Sequence, residues 1–135
     1  MSHNGYQEID HTADLALKVW GKDFETLLRQ AASGMYDLMG VVVNEGAQIQ
    51  NVFSLDKDSD ETILVDFLNE LVYLAEDKGY YYSEFDFNVE GNAWTVRCRG
   101  QRIENIKRSI KAVTFHDLEI NQTEQGLKTI ITFDV

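Results

Sequence analysis

Three short segments carry side chains able to do chemistry. The first, Asp10-His11-Thr12-Ala13-Asp14, sets two carboxylates and an imidazole among small and hydroxyl residues, where an alternating apolar run begins. That mix suits a tight turn that presents side chains to a site. It equally suits a polar turn whose Asp and Thr satisfy their own backbone. The second is the closing Ile130-Ile131-Thr132-Phe133-Asp134-Val135, an apolar strand that ends in an acid and then in the chain's own carboxylate. Two hard oxygen donors one residue apart chelate Ca²⁺, Mg²⁺ or Mn²⁺ if a third carboxylate stands opposite. A frayed, solvated end is the commoner fate of a terminus, but fraying tails are rarely this apolar. The third is Lys111-Ala112-Val113-Thr114-Phe115-His116-Asp117-Leu118. Lys111 can meet a phosphate or a carboxylate. In a strand, His116 and Asp117 would point to opposite faces, which argues against a His–Asp relay. A surface strand with one satisfied histidine is the plain alternative.

Other chemistries find no support. There is no G-x-x-x-x-G-K-[ST] phosphate loop, no G-x-G-x-x-G and no serine in a nucleophile elbow. The one cysteine, Cys98, can form no internal disulfide and leaves no Cys-based zinc site. It alternates in register with Trp94 and Val96, the pattern of a buried thiol. Tyr80-Tyr81-Tyr82 could stack on bases, but at the start of a hairpin it reads as sheet packing. The acidic run Asp56–Glu61 lacks the glycine and final glutamate of an EF-hand and reads as a helix N-terminus.

The elements that must position these residues follow from periodicity and caps. Tyr6–Ile9 and Asp14–Trp20 read as strands, with Leu15, Leu17 and Val19 on one face. Asp23 caps a helix through Met39 whose stripe is Phe24, Leu27, Leu28, Ala31, Met35, Leu38 and Met39; Gly40 stops it. Gln48–Asp56 reads as a strand. A second helix opens at Asp58-Ser59-Asp60-Glu61 and runs to Lys78, where Gly79 stops it. Tyr80–Val89 and Ala93–Arg99 form a hairpin across Glu90-Gly91-Asn92. Residues 101–112 are ambiguous, because Ile103, Ile106 and Ile110 have helical spacing in a short segment. A last hairpin pairs Phe115–Asn121 with Thr129–Val135. The expected fold is α+β: a compact single domain, residues 1–135, with a mixed or antiparallel sheet and helices packed on one face.

The chain has 135 residues, with 12 Lys and Arg against 23 Asp and Glu, a formal net charge of −11. A domain of this size buries enough surface to fold without staples. An apolar fraction of 44%, with 7 Phe, 6 Tyr and 2 Trp, excludes general disorder. An isoelectric point of about 4.5 argues against a bulk nucleic-acid binder. No apolar run is long enough to span a membrane, and Met1–Gly5 has no signal-peptide core, so the reducing cytoplasm is the expected compartment. The charge is polarised. Residues 97–111 hold Arg97, Arg99, Arg102, Lys107, Arg108 and Lys111 against Glu104 alone, while residues 56–90 are strongly acidic. A local basic stretch can still bind a phosphate or an acidic partner.

Taken in order, His11-Thr12-Ala13-Asp14, the segment from Lys111 to Leu118 and the closing Asp134-Val135 resemble the archease family. Ala31-Ala32 in the first helix and Phe67-Leu68-Asn69-Glu70-Leu71 in the second fit the same pattern, and the resemblance covers nearly the whole chain. Phe115 stands where the family often has tyrosine. The resemblance implies a compact α+β domain with an inserted module, and a non-enzymatic activator of the metal- and GTP-dependent RNA-splicing (tRNA) ligase. It would promote guanylylation of the ligase and its multiple turnover, with RNA or GTP met through the ligase complex and no membrane involved. By the same resemblance Asp14, Lys111 and Asp134 carry ligase activation. A divalent ion, Ca²⁺, Mn²⁺ or Mg²⁺, would sit between Asp14, Asp134 and the carboxylate of Val135, with His11 and His116 as accessory residues. The alternatives are a metal-dependent phosphohydrolase or nuclease using the same carboxylates, and a chaperone-like binding module.

Overall fold

Residues 4–9 and 15–135 are described by the structure, a computed structural model. The elements in chain order are β1 (Gly5–Ile9), β2 (Leu15–Gly21), α1 (Phe24–Met39), β3 (Val42–Val43), β4 (Ile49–Asp56) and α2 (Asp60–Lys78). They continue with β5 (Tyr80–Glu90), β6 (Ala93–Asn105), β7 (Ala112–Thr114), β8 (Asn121–Thr123) and β9 (Gly126–Asp134). The described strands form two sheets, and every pairing is antiparallel. The fold is α+β.

The first sheet runs β1-β2-β9-β7, with β8 also on β9. β2 occupies one edge of β9 from Leu127 to Phe133; β7 and β8 share the other edge, at its two ends. The apolar closing segment is therefore the centre of a sheet. The second sheet is built around the long β6, which pairs β3, β4 and β5.

Both helices keep the boundaries that their caps announce. The Asp23 carboxylate accepts the Thr26 N–H at 2.8 Å, and Gly40 closes α1 in the left-handed region. Ser59 caps α2 in the same way through the Thr62 N–H, and Gly79 closes it. Their apolar stripes are buried: Leu27, Leu28, Ala31, Met35 and Met39 on α1, and Ile63, Leu64, Phe67, Leu68 and Leu71 on α2. α1 packs on β1, β2, β5 and β9, and α2 on β4, β5 and β7. One apolar cluster thus joins Leu17, Val19, Ile131 and Phe133 of the first sheet to Phe85, Val96 and Cys98 of the second.

Two segments differ from the sequence expectation. Residues 101–105 continue β6, because Gln101 and Arg102 pair with Tyr81 and Tyr80. The isoleucine spacing there serves separate anchor points. Beyond Asn105 the Lys107 and Arg108 N–H groups both donate to the Met39 carbonyl, so this stretch caps the end of α1. Phe115–Ile120 is a loop, and only Asn121–Thr123 pairs with β9. The Glu61 carboxylate, on the first turn of α2, accepts the Ile120 N–H at 3.0 Å and ties the loop away from the sheet edge.

Candidate functional site

Alternation along β9 sends successive side chains to two faces. Ile131 and Phe133 are fully buried among the helices, while Ile130, Thr132 and Asp134 take the other face. Pairing on both edges, Leu15 with Phe133 and Val113 with Phe133, keeps the strand ordered to its end. The Asp134 carbonyl accepts the Lys111 N–H at 2.8 Å. Its side chain is exposed and has no hydrogen bond or ion pair among the described residues. Val135, just beyond the strand, is 43% exposed.

Asp14 and His11 lie outside the described residues. The last described pair of the β2–β9 ladder is Leu15 with Phe133, so Asp14 and Asp134 are each one peptide bond beyond it. Among the described residues no three His, Cys, Asp or Glu side chains gather closely enough to hold a metal. The donor chemistry that is present, an unpartnered carboxylate at a strand end, fits a hard cation that shares it with further oxygens.

Lys111 reaches this place by its backbone. Lys111 also lines a groove of about 400 Å³ beside α2, with Asn69, Tyr73, Glu76, Asp77 and Ser109. The short β7 that follows is held by a residue the sequence did not mark as functional. The Asn69 Oδ1 accepts the Val113 N–H at 2.8 Å, and the Asn69 Nδ2 donates to the Val113 carbonyl at 3.2 Å. One carboxamide therefore closes the free edge of a three-residue strand, where a neighbouring strand would otherwise stand. The signal was an amide within the apolar pattern of a helix, in Phe67-Leu68-Asn69-Glu70-Leu71.

His116 is four residues past Ala112 and lies outside the strand, so strand alternation does not hold it away from Asp117. Asp117 adopts φ 51° in a turn, which brings its Oδ2 to 3.2 Å from His116 Nε2. Both side chains stay in solvent, 68% and 90% exposed, so the contact is a weak surface pair.

The basic segment is not one patch. Arg97 and Arg99 lie on the outer face of the second sheet, opposite Asp86 and Glu84 of β5. Arg99 pairs with Glu84 at 3.7 Å, and Arg102 lies over the Tyr80 ring. Arg108 reaches Glu8 of β1 at 3.9 Å, and the Lys107 stem covers Gly40. Cys98 is buried; burial pushes its thiol up to about 12, so it is no nucleophile at neutral pH. The three tyrosines at 80–82 serve packing, as Tyr36 meets Tyr81 edge to face and Tyr80 meets Tyr82.

Residues 6–135 match the model of the archease protein family. Over their full lengths, this chain is 30% identical to the protein archease of Methanosarcina barkeri. It is 29% identical to that of Archaeoglobus fulgidus, over 96% of this chain and 98% of the relative. The fold is similar to the crystal structure of an archease, a possible chaperone, from Thermotoga maritima, with a TM-score of 0.70, 28% identity and 96% of each chain covered. A solution structure of a Methanobacterium thermoautotrophicum protein has a TM-score of 0.74 at 22% identity, over 97% of this chain and 99% of that one, a likeness of fold.

Proposed function

This chain belongs to the archease family, and from that premise we propose that it is a non-enzymatic activator of the metal- and GTP-dependent RNA-splicing ligase. In this reading it works in the cytoplasm, promotes guanylylation of the ligase and lets the ligase turn over repeatedly. The observation that carries it is the end of β9: a central strand delivers the Asp134 carboxylate, free of protein partners among the described residues, with the chain of Lys111 hydrogen-bonded beside it. The resemblance names these two residues together with Asp14.

The residues divide the work by chemistry. Asp14, Asp134 and the Val135 carboxylate supply an all-oxygen, anionic donor set for Ca²⁺, Mn²⁺ or Mg²⁺. A divalent ion held there would offer charge and open coordination positions to a phosphate oxygen. Without metal, carboxylates brought together repel one another, so the set is prepared for a cation. β9 and β7 fix the backbone beneath these groups, and Asn69 fixes β7. Lys111, anchored by its backbone at the Asp134 carbonyl, contributes a cation on the α2 side of the site, suited to an anionic partner surface or a nucleotide phosphate.

Purified protein alone, incubated with GTP and with RNA bearing 2′,3′-cyclic-phosphate and 5′-hydroxyl ends, should form no product. Substoichiometric ligase alone should stall after about one turnover, and the mixture should ligate many-fold more RNA. Hydrolysis of RNA or GTP by the protein alone would instead establish the phosphohydrolase or nuclease reading.

A further inference from the structure

Among the described residues that are not exposed, Glu76 alone has a buried side-chain oxygen, Oε1, with no hydrogen-bond partner. A carboxylate oxygen taken from water without a donor is costly, so a cation able to reach it would be a stabilising partner. Glu76 lies in the last turns of α2 and lines the groove that runs between that helix and Ser109-Ile110-Lys111. Val72 and Ile110 form its apolar walls and are themselves buried. Lys111 is the single cation among the residues of this groove. Its backbone is fixed by the hydrogen bond to the Asp134 carbonyl, but its ammonium makes no ion pair among the described residues. A compact charge on a flexible four-carbon stem, anchored at the groove's edge, is suited to the orphaned carboxylate of Glu76, which lines the same groove. Asp77, the other acid of the groove, is exposed and already solvated.

We infer that Glu76 is a positioning residue for Lys111: its carboxylate receives the Lys111 ammonium in the groove beside α2 and sets where that charge stands relative to the end of β9. The functional part of this inference rests on the ligase-activator reading, whereas the pairing itself does not. Lys111 would then meet its partner from the α2 side, across Tyr73 and Asp77, with its backbone shared with the acid site.

The test is a melting cycle of wild type, Glu76→Gln, Lys111→Met and the double variant, at low and high salt, followed by ligase stimulation with each. Lys111→Met strands the buried carboxylate and should lower the melting temperature. Adding Glu76→Gln should restore most of that loss, and high salt should shrink the coupling. Additive shifts in the cycle overturn the pairing. Glu76→Gln should also reduce stimulation roughly three- to tenfold, toward the low end of the coupling between neighbouring residues. The metal concentration for half-maximal effect should stay unchanged, and Glu76→Asp should recover part of the loss. Full stimulation by Glu76→Gln beside lost stimulation by Lys111→Met overturns the positioning role. Full stimulation by Lys111→Met would count against the ligase reading at that residue, while the melting cycle decides the pair on its own.

Discussion

Asn69 makes two hydrogen bonds to one residue of β7, and both of its partners are backbone groups of the buried Val113. Asn69→Ala leaves a donor and an acceptor unpaired at a sheet edge, at a cost of about 2 kcal/mol. Asn69→Asp keeps the acceptor for the Val113 N–H but turns a carboxylate on the Val113 carbonyl, so it should fare no better. Amide exchange at Val113 reads this directly: slow in wild type, faster in both variants, with the amides of α1 little changed. Tyr6 offers a second residue-level expectation. Its hydroxyl donates to the Asp37 carboxylate, and that bond, then burial, then the Asp37 charge raise the phenol from 10.0 to about 12. A folded pKa above the unfolded one favours the protonated fold, so this contribution is full below pH 10 and fades as pH rises toward 12. Tyr6→Phe should cost about 1 kcal/mol at neutral pH. The stability gap between wild type and Tyr6→Phe should then close between pH 10 and 12 in denaturant titrations.

At the scale of elements, legibility followed the range of the forces. Both helices could be read to within two residues because their signals are local: Asp23 and Ser59 cap within three residues, and Gly40 and Gly79 stop the chain where they stand. β9 was legible because its alternation runs uninterrupted into an acid. The loop at Phe115–Ile120 was not, because the bond that removes it from the sheet comes from Glu61, 59 residues away. The clamp on β7 was hidden for the same reason, since Asn69 and Val113 are 44 residues apart. Asp134 and Lys111 could be singled out by type and place, whereas the clamp of Asn69 on β7 could not. Close backbone approach makes its own prediction at Gly100. It sits where the β5–β6 register shifts between Tyr82 and Glu84, and a Cβ there would overlap the Tyr81 carbonyl. Gly100→Ala should destabilise the protein on the order of 3 kcal/mol, visible as an earlier denaturant midpoint.

Across the whole molecule, the basic residues of 97–111 are contiguous in sequence and dispersed in space. Lys107 covers the end of α1, Arg108 faces Glu8, and Lys111 faces the groove beside α2. Exposed pairs such as Arg108–Glu8 contribute no more than about 1 kcal/mol. A triple Lys107→Ala, Arg108→Ala, Lys111→Ala variant should therefore lose about as much ligase stimulation as Lys111→Ala alone, at every salt concentration tested. A steeper loss in the triple variant would mean that these charges act as one surface. No helix among the described residues is long and apolar enough to cross a membrane.

Melting curves paired with ligase turnover test most directly whether Asp14 and Asp134 activate the ligase by holding a divalent ion. Wild type, Asp14→Asn and Asp134→Asn would be melted with and without Mn²⁺, Mg²⁺ or Ca²⁺, and each assayed with limiting ligase. Asn keeps the shape and an oxygen donor and removes one charge. Without metal both variants should melt at or slightly above wild type, through relief of repulsion. At a hundredfold excess over its dissociation constant, the metal should stabilise wild type by roughly 2.7 kcal/mol, about 9 °C for a chain of this length. Neither variant should show that gain, and neither should stimulate the ligase. Full stimulation by both Asn variants would contradict the account.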